Sequence, residues 1–115
     1  MPFMLLIVET PEQRRGRPLP DGQAFYARML EYSRKLQARG VLLASHSLKS
    51  EAVRVHVRAG KPNVLDGPFT ESKELIGGFF LLDCATQDQA RTWAAQCPAA
   101  EWATIEIREV GPCYS

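Results

Sequence analysis

The chain lacks any closely spaced pair of cysteines. Cys84, Cys97 and Cys113 are odd in number and far apart, with no CxxC or cysteine–histidine spacing. This argues against a disulfide framework and against a zinc site. It leaves reduced thiols, mostly buried, with Cys113 near the C-terminus as the exposed one. No apolar run approaches the roughly 18 residues of a membrane span. The apolar start at residues 1–8 lacks a basic leader, so a cytoplasmic location and no membrane partner are expected. Neither sign of charge dominates. The 14 Lys and Arg stand against 13 Asp and Glu, a net charge of +1, which gives no electrostatic pull toward nucleic acid. Walker and Rossmann glycine patterns are absent, so no cofactor and no metal is expected.

What is present fits one domain over residues 1–115. A chain of this size buries roughly 65% of its unfolded surface and holds a core without staples. Residues 3–8 form a continuous apolar run, read as a buried strand. Residues 10–22 hold Pro11, Pro18 and Pro20 among Arg14, Arg15 and Arg17 and read as a loop. The arginines there read as a solvated face, with the grip of an anion as the alternative. Asp21 is placed to cap a helix running to about residue 39, which Gly40 stops. Phe25, Met29, Tyr32 and Leu36 recur on one side of it.

A second strand is expected at 41–44. Val53, Val55 and Val57 alternate with Arg54, His56 and Arg58, the period of a half-buried strand. A turn at 60–63 returns the chain through Val64 and Leu65 to Asp66. Residues 76–83 read as a further strand, apolar on both faces at 79–82. Thr86 and Gln89 fit a capping box for a helix with Ala90, Trp93, Ala94 and Cys97 inside, ended by Pro98. Trp93 and Trp102 are expected to pack that helix. Residues 103–108 alternate as a final strand.

The order strand, helix, strand, hairpin, strand, helix, strand is an α+β, ferredoxin-like arrangement with an inserted β-hairpin. Two helices cover one face of such a sheet, yet the runs at 3–8 and 79–82 place large apolar groups on both. The uncovered face therefore calls for a second copy packed sheet against sheet, a homodimer.

Chemistry concentrates between residues 66 and 74. Asp66, Gly67, Pro68 and Phe69 are turn formers, and Glu71, Lys73 and Glu74 follow at once. Asp66 at a pocket wall is a candidate general acid or base. Gly67, Pro68, Phe69, Glu71 and Lys73 are candidate ligand contacts. Glu9, at the end of the first strand, is a candidate carboxylate for the same cavity. His46 and His56 are the only histidines, and either can be written as a His–Asp pair with Asp66. Gly77 and Gly78 lack a helix after them and read as a place of close approach.

The run from Asp66 to Glu74, with Val53-Arg54-Val55 before it and Gly77-Gly78-Phe79-Phe80 after it, resembles the YCII-related family of the DGPF type. Met4 to Val8, Gly40-Val41-Leu42, Ala94 to Pro98 and Thr104 to Arg108 extend the resemblance over nearly the whole chain. It implies a dimeric α/β-barrel with a cavity between two sheets, an unknown small-molecule ligand, and a His–Asp pair in which Asp66 and, less directly, His46 take part. It further implies association with an extracytoplasmic-function sigma factor. The expected function is small-molecule binding, either by an enzyme using Asp66 or by a non-catalytic sensor or regulatory partner.

Overall fold

The computed structural model describes residues 2–66 and 74–114. Strand β1 (Pro2–Glu9) is followed by a short helix α1 (Pro11–Arg15) and a long helix α2 (Leu19–Ala38). Then come β2 (Leu42–Ser47), β3 (Val53–Arg58), β4 (Lys61–Asp66) and β5 (Leu75–Asp83). Helix α3 (Gln87–Gln96), a 3-10 turn (Pro98–Glu101) and β6 (Thr104–Glu109) complete the described chain.

The main sheet has the order β2-β5-β1-β6 with antiparallel neighbours. Two strand–helix–strand crossovers interleave there, the split arrangement of a ferredoxin-like α+β fold. Strands β3 and β4 form a separate two-stranded sheet, the inserted hairpin.

The stretch 10–22 is not a plain loop. Thr10 and Gln13 form a complete capping box: the Thr10 hydroxyl accepts from Gln13 N at 3.1 Å and the Gln13 amide oxygen accepts from Thr10 N at 2.9 Å. Pro11 sits at the first helical position, where its missing N–H costs nothing. Helix α2 starts at Leu19 after Pro18, so Asp21 lies in its first turn, favourable to the dipole, and is not its cap. The hairpin turn also falls earlier than the sequence suggests. Ala59 (φ 53°) and Gly60 (φ 75°) take left-handed conformations, as a two-residue turn between right-twisted strands requires. Lys61 to Asn63 then belong to β4. Gly40, at φ 71°, stops α2 as expected. In α3, Thr86 caps Gln89 N, but the Gln89 side chain reaches Ala85 N and not Thr86 N.

The core lies on one face of the main sheet. Phe3, Leu5, Phe80 and Leu82 point toward α2 and α3 and meet Tyr32, Leu36, Ala90, Ala94 and Cys97. The other face carries Met4, Leu6 and Val8 from β1 beside Leu81, Phe79 and Ile76 from β5, all partly or largely exposed. Both runs are thus apolar on both faces, as their unbroken hydropathy demands. Among the described residues the hairpin makes only sparse contact with the other elements. Its Val53, Val55, Val57 and Val64 are more than half exposed and not half-buried, because nothing described packs on that side. The radius of gyration, 16.0 Å, exceeds the ~13 Å of a compact chain of this length for the same reason.

Cys84 and Cys97 are buried free thiols and Cys113 is exposed. Burial pushes the Cys97 thiol up to about 11. Burial also holds the Tyr32 phenol above its ordinary value, its hydroxyl donating to Trp93 O at 2.6 Å. Both folded values lie above the unfolded ones, so this contribution is complete below the ordinary thiol value of 9.0 and is lost as pH climbs through 11. The urea midpoint should therefore hold steady up to pH 9 and then fall. A midpoint unchanged from neutral pH to 11 contradicts this account.

Candidate functional site

The end of β1 carries a charged cluster that the composition of residues 10–22 conceals. Glu9 is 4% exposed. Its Oε1 takes Arg14 Nε at 2.9 Å and its Oε2 takes Arg17 Nη2 at 3.0 Å. The α1 turn brings both arginines back over the strand that precedes them. Arg14 also donates to Leu48 O at 2.7 Å and to Gly77 O at 3.4 Å. It thereby ties the ends of β2 and β5 to β1. Arg14 and Arg17 are not a solvated face.

Gly77 and Gly78 make this geometry possible. Gly77 is the extra residue of a β-bulge, where the register with β1 shifts between Ile7 and Val8. A Cβ on Gly77 would lie 2.7 Å from Glu9 Oε1 and 3.0 Å from Arg14 Nη2. A Cβ on Gly78 would lie 2.9 Å from the His46 carbonyl oxygen and 3.3 Å from Ser47 Cα. Those are backbone atoms of β2 and cannot rotate away. Gly78→Ala should cost about 1–3 kcal/mol by pushing β2 off β5. A urea midpoint equal to that of the unaltered protein refutes it.

Two cavities flank this cluster, one on each side of the main sheet. The first, about 300 Å³, opens between α2 and the glycine end of the sheet. Glu9, Arg17, Ser33 and Ser45 face it, with Phe25 and Trp102 as one wall. Those two rings stack at 4.0 Å, and Arg17 lies over Phe25 with its guanidinium carbon 5.2 Å from the ring centre. On the far side Arg28 lies over Trp102 at 5.5 Å and pairs with Glu101. Trp102 thus packs α2, not α3.

The second cavity, about 980 Å³, lies on the uncovered face. Val8, Leu75 and Ile76 line it as apolar residues. Arg15, Lys49 and Arg54 supply positive charge there, and Glu51, Glu74 and Glu106 negative charge. Arg14 borders both cavities.

The residues singled out from the sequence fall as follows. Asp66 ends β4 opposite Val53, whose neighbours Ala52 and Arg54 line the larger cavity. Gly67, Pro68, Phe69, Glu71 and Lys73 lie outside the described residues. His46 lies in β2 on the uncovered face, its ring 5.8 Å from that of Phe79, one step along from the Val8–Ile76 rung. It is exposed. His56 lies in the hairpin, where its Nε2 meets the Asn63 side-chain amide at 3.3 Å across the rung. Its Nδ1 is buried, with no hydrogen-bond partner among the described residues. Glu9 faces the smaller cavity, which His46 also borders from β2, and both its oxygens are engaged by arginines. Among the described residues no group of three or more His, Cys, Asp or Glu is placed to hold a metal ion. No described helix is long and apolar enough to cross a membrane. The side chains of this cluster that sequence reasoning undervalued are Arg14 and Arg17. The signal was there in Thr10-Pro11-Glu12-Gln13, a capping-box pattern that predicts the turn carrying them back to Glu9.

Comparison with known proteins places this architecture. The model of the YCII-related domain matches residues 1–113. An uncharacterized protein of Rhizobium meliloti (strain 1021) is 46% identical over 52 residues. That stretch is 44% of this chain and 42% of that protein, less than half of the relative's length. The 5-chloro-2-hydroxyhydroquinone dehydrochlorinase of Burkholderia phenoliruptrix AC1100, solved in complex with 2,5-dihydroxybenzoquinone, superposes with a TM-score of 0.56. It is 16% identical, over 96% of this chain and 94% of that one, a likeness of fold. The chain belongs to the YCII-related family.

Proposed function

We propose that this member of the YCII-related family is a homodimer that binds a small, partly apolar molecule on the uncovered face of its main sheet, beside Asp66. One observation carries the reading: a cavity of about 980 Å³ with Val8, Leu48, Leu75 and Ile76 in its apolar lining, charged groups of both signs around it, and its lining residues Ala52 and Arg54 flanking Val53, the backbone partner of Asp66. Its size falls at the upper end of ordinary ligand sites. The apolar residues of β1 and β5 that continue from it form a patch of the kind that soluble monomers seldom leave open. A second copy packed there encloses the cavity. The dehydrochlorinase with the same fold holds 2,5-dihydroxybenzoquinone, a single oxygen-bearing ring, and a ligand of that size suits this cavity.

Within this reading Asp66 is the general acid or base of an enzyme, and His46, whose ring leans on Phe79 of the uncovered face, is a second polar group. Native mass spectrometry of the protein as purified, with denaturing analysis of what it releases, tests the binding. A dimer carrying a small molecule supports it; a monomer at micromolar concentration refutes the shared cavity. Asp66→Asn separates catalysis from binding. The dimer should persist, and turnover of the released compound should fall to background if Asp66 is catalytic. Unchanged turnover shows that another group is the acid or base, and saturable binding with no turnover by the unaltered protein leaves a sensing role.

A further inference from the structure

We propose that the smaller cavity, between α2 and the glycine end of the sheet, is a second binding site, and that it takes a flat monocarboxylate through Arg17. It lies on the other side of the sheet from the site described above. Its charge does not balance: Arg14 and Arg17 face it with Glu9 as their shared carboxylate, leaving one net positive charge in a half-enclosed space. Arg14 spends its guanidinium on Glu9, Leu48 O and Gly77 O. Arg17 spends only Nη2, on Glu9 Oε2. Its Nε and Nη1 are not buried orphans; they stay open to the solvent of the cavity, within a side chain that is 16% exposed.

A guanidinium with two donors in reserve suits a carboxylate, which accepts them side by side. The Phe25–Trp102 stack holds the Arg17 fork in place from one side. Met29, Ile7 and Phe80 supply apolar surface, and Ser33 and Ser45 supply hydroxyls. The volume of about 300 Å³ is the lower end of ligand sites and limits the guest to about one ring. The ligand class is therefore a single-ring or short-chain monocarboxylate. The cavity's aromatic wall makes Trp102 a reporter of its occupancy.

Benzoate is the probe, with benzamide as its uncharged counterpart. Benzoate at millimolar concentration should raise the Tm of the dimer or monomer, whichever is isolated, and should quench tryptophan fluorescence; benzamide should do neither. Arg17→Met should weaken benzoate about tenfold to a hundredfold, the loss of a charge-assisted hydrogen-bonding partner. Because that change also removes a partner of Glu9, Ser33→Leu serves as a second variant. It fills the cavity from α2 and leaves the charged cluster intact, and it should abolish the response. Arg54→Met, at the larger cavity, should leave the response unchanged. The proposal is overturned if benzoate gives no response with the unaltered protein, if benzamide matches it, or if Arg54→Met abolishes the response while Ser33→Leu keeps it.

Discussion

Glu9→Gln should lower the unfolding free energy by about 2–4 kcal/mol. Breaking one partner out of a buried ion pair costs ~3–5 kcal/mol, because the remaining charge stays buried without its counterion. Here the lower part of that range applies, since the Arg14 and Arg17 side chains keep 25% and 16% of their exposure and water screens them in part. The amide also forces a donor toward one of two guanidiniums that have only donors to offer. The loss spreads beyond the pair: Arg14, once freed from Glu9, no longer holds Leu48 O and Gly77 O with a fixed fork. Urea denaturation with an unchanged m-value measures it. Gly77→Ala should act through the same contact, because its Cβ would meet Glu9 Oε1 at 2.7 Å. The double variant should then lose less than the sum of the two single losses. Strict additivity, or a Glu9→Gln loss below about 0.5 kcal/mol, would show the cluster to be a solvated surface feature.

Leu82→Ala should cost about 3–5 kcal/mol. Leu82 is fully buried, in a central strand, with Phe3 on one side and Leu42 on the other. Its truncation removes transfer energy and leaves a cavity under α2 and α3 that the paired strands cannot close. Leu81 is the informative control. It is the next residue of β5, paired with Met4, and it points to the uncovered face. Leu81→Ala should cost well under half as much in a folded monomer and should instead weaken the dimer. Equilibrium sedimentation alongside urea denaturation separates the two effects. Equal stability losses at 81 and 82, with no change in association, would remove the basis for packing a second copy on that face.

Most of the fold was legible along the chain. Alternation marked β3 and β6, unbroken apolar runs marked β1 and β5 as strands apolar on both faces, and Tyr32 with Leu36 marked the inner side of α2. Gly40 and Pro98 marked helix ends where the backbone does stop. These signals are local: period, capping and φ preference act within a few residues and need no knowledge of the rest. The residues 10–22 were misread by the same local logic, because three prolines and three arginines looked like solvated loop while a capping box inside them was building a turn. The turn of the hairpin was misplaced because Ala59 takes a left-handed conformation that its side chain does not advertise.

The site depended on distance in space. Sequence alone made Asp66 and the residues after it conspicuous, and made Gly77-Gly78 a place of close approach. Only the tertiary structure decided what approaches there: the His46 carbonyl, and the Glu9–Arg14 pair. It also decided that Glu9 turns to the arginines of α1 and the loop after it, while the His46 ring leans on Phe79 of the uncovered face. Strand register fixes which face a side chain takes, and a bulge of one residue at Gly77 reverses the count for everything beyond it. Composition cannot show a bulge, and Arg14 meets Gly77 across a sequence separation of 63 residues. The chain's local patterns thus determined the elements and the apolar faces, while the charge pairing and the two cavities arose only when β1, β2 and β5 were brought edge to edge.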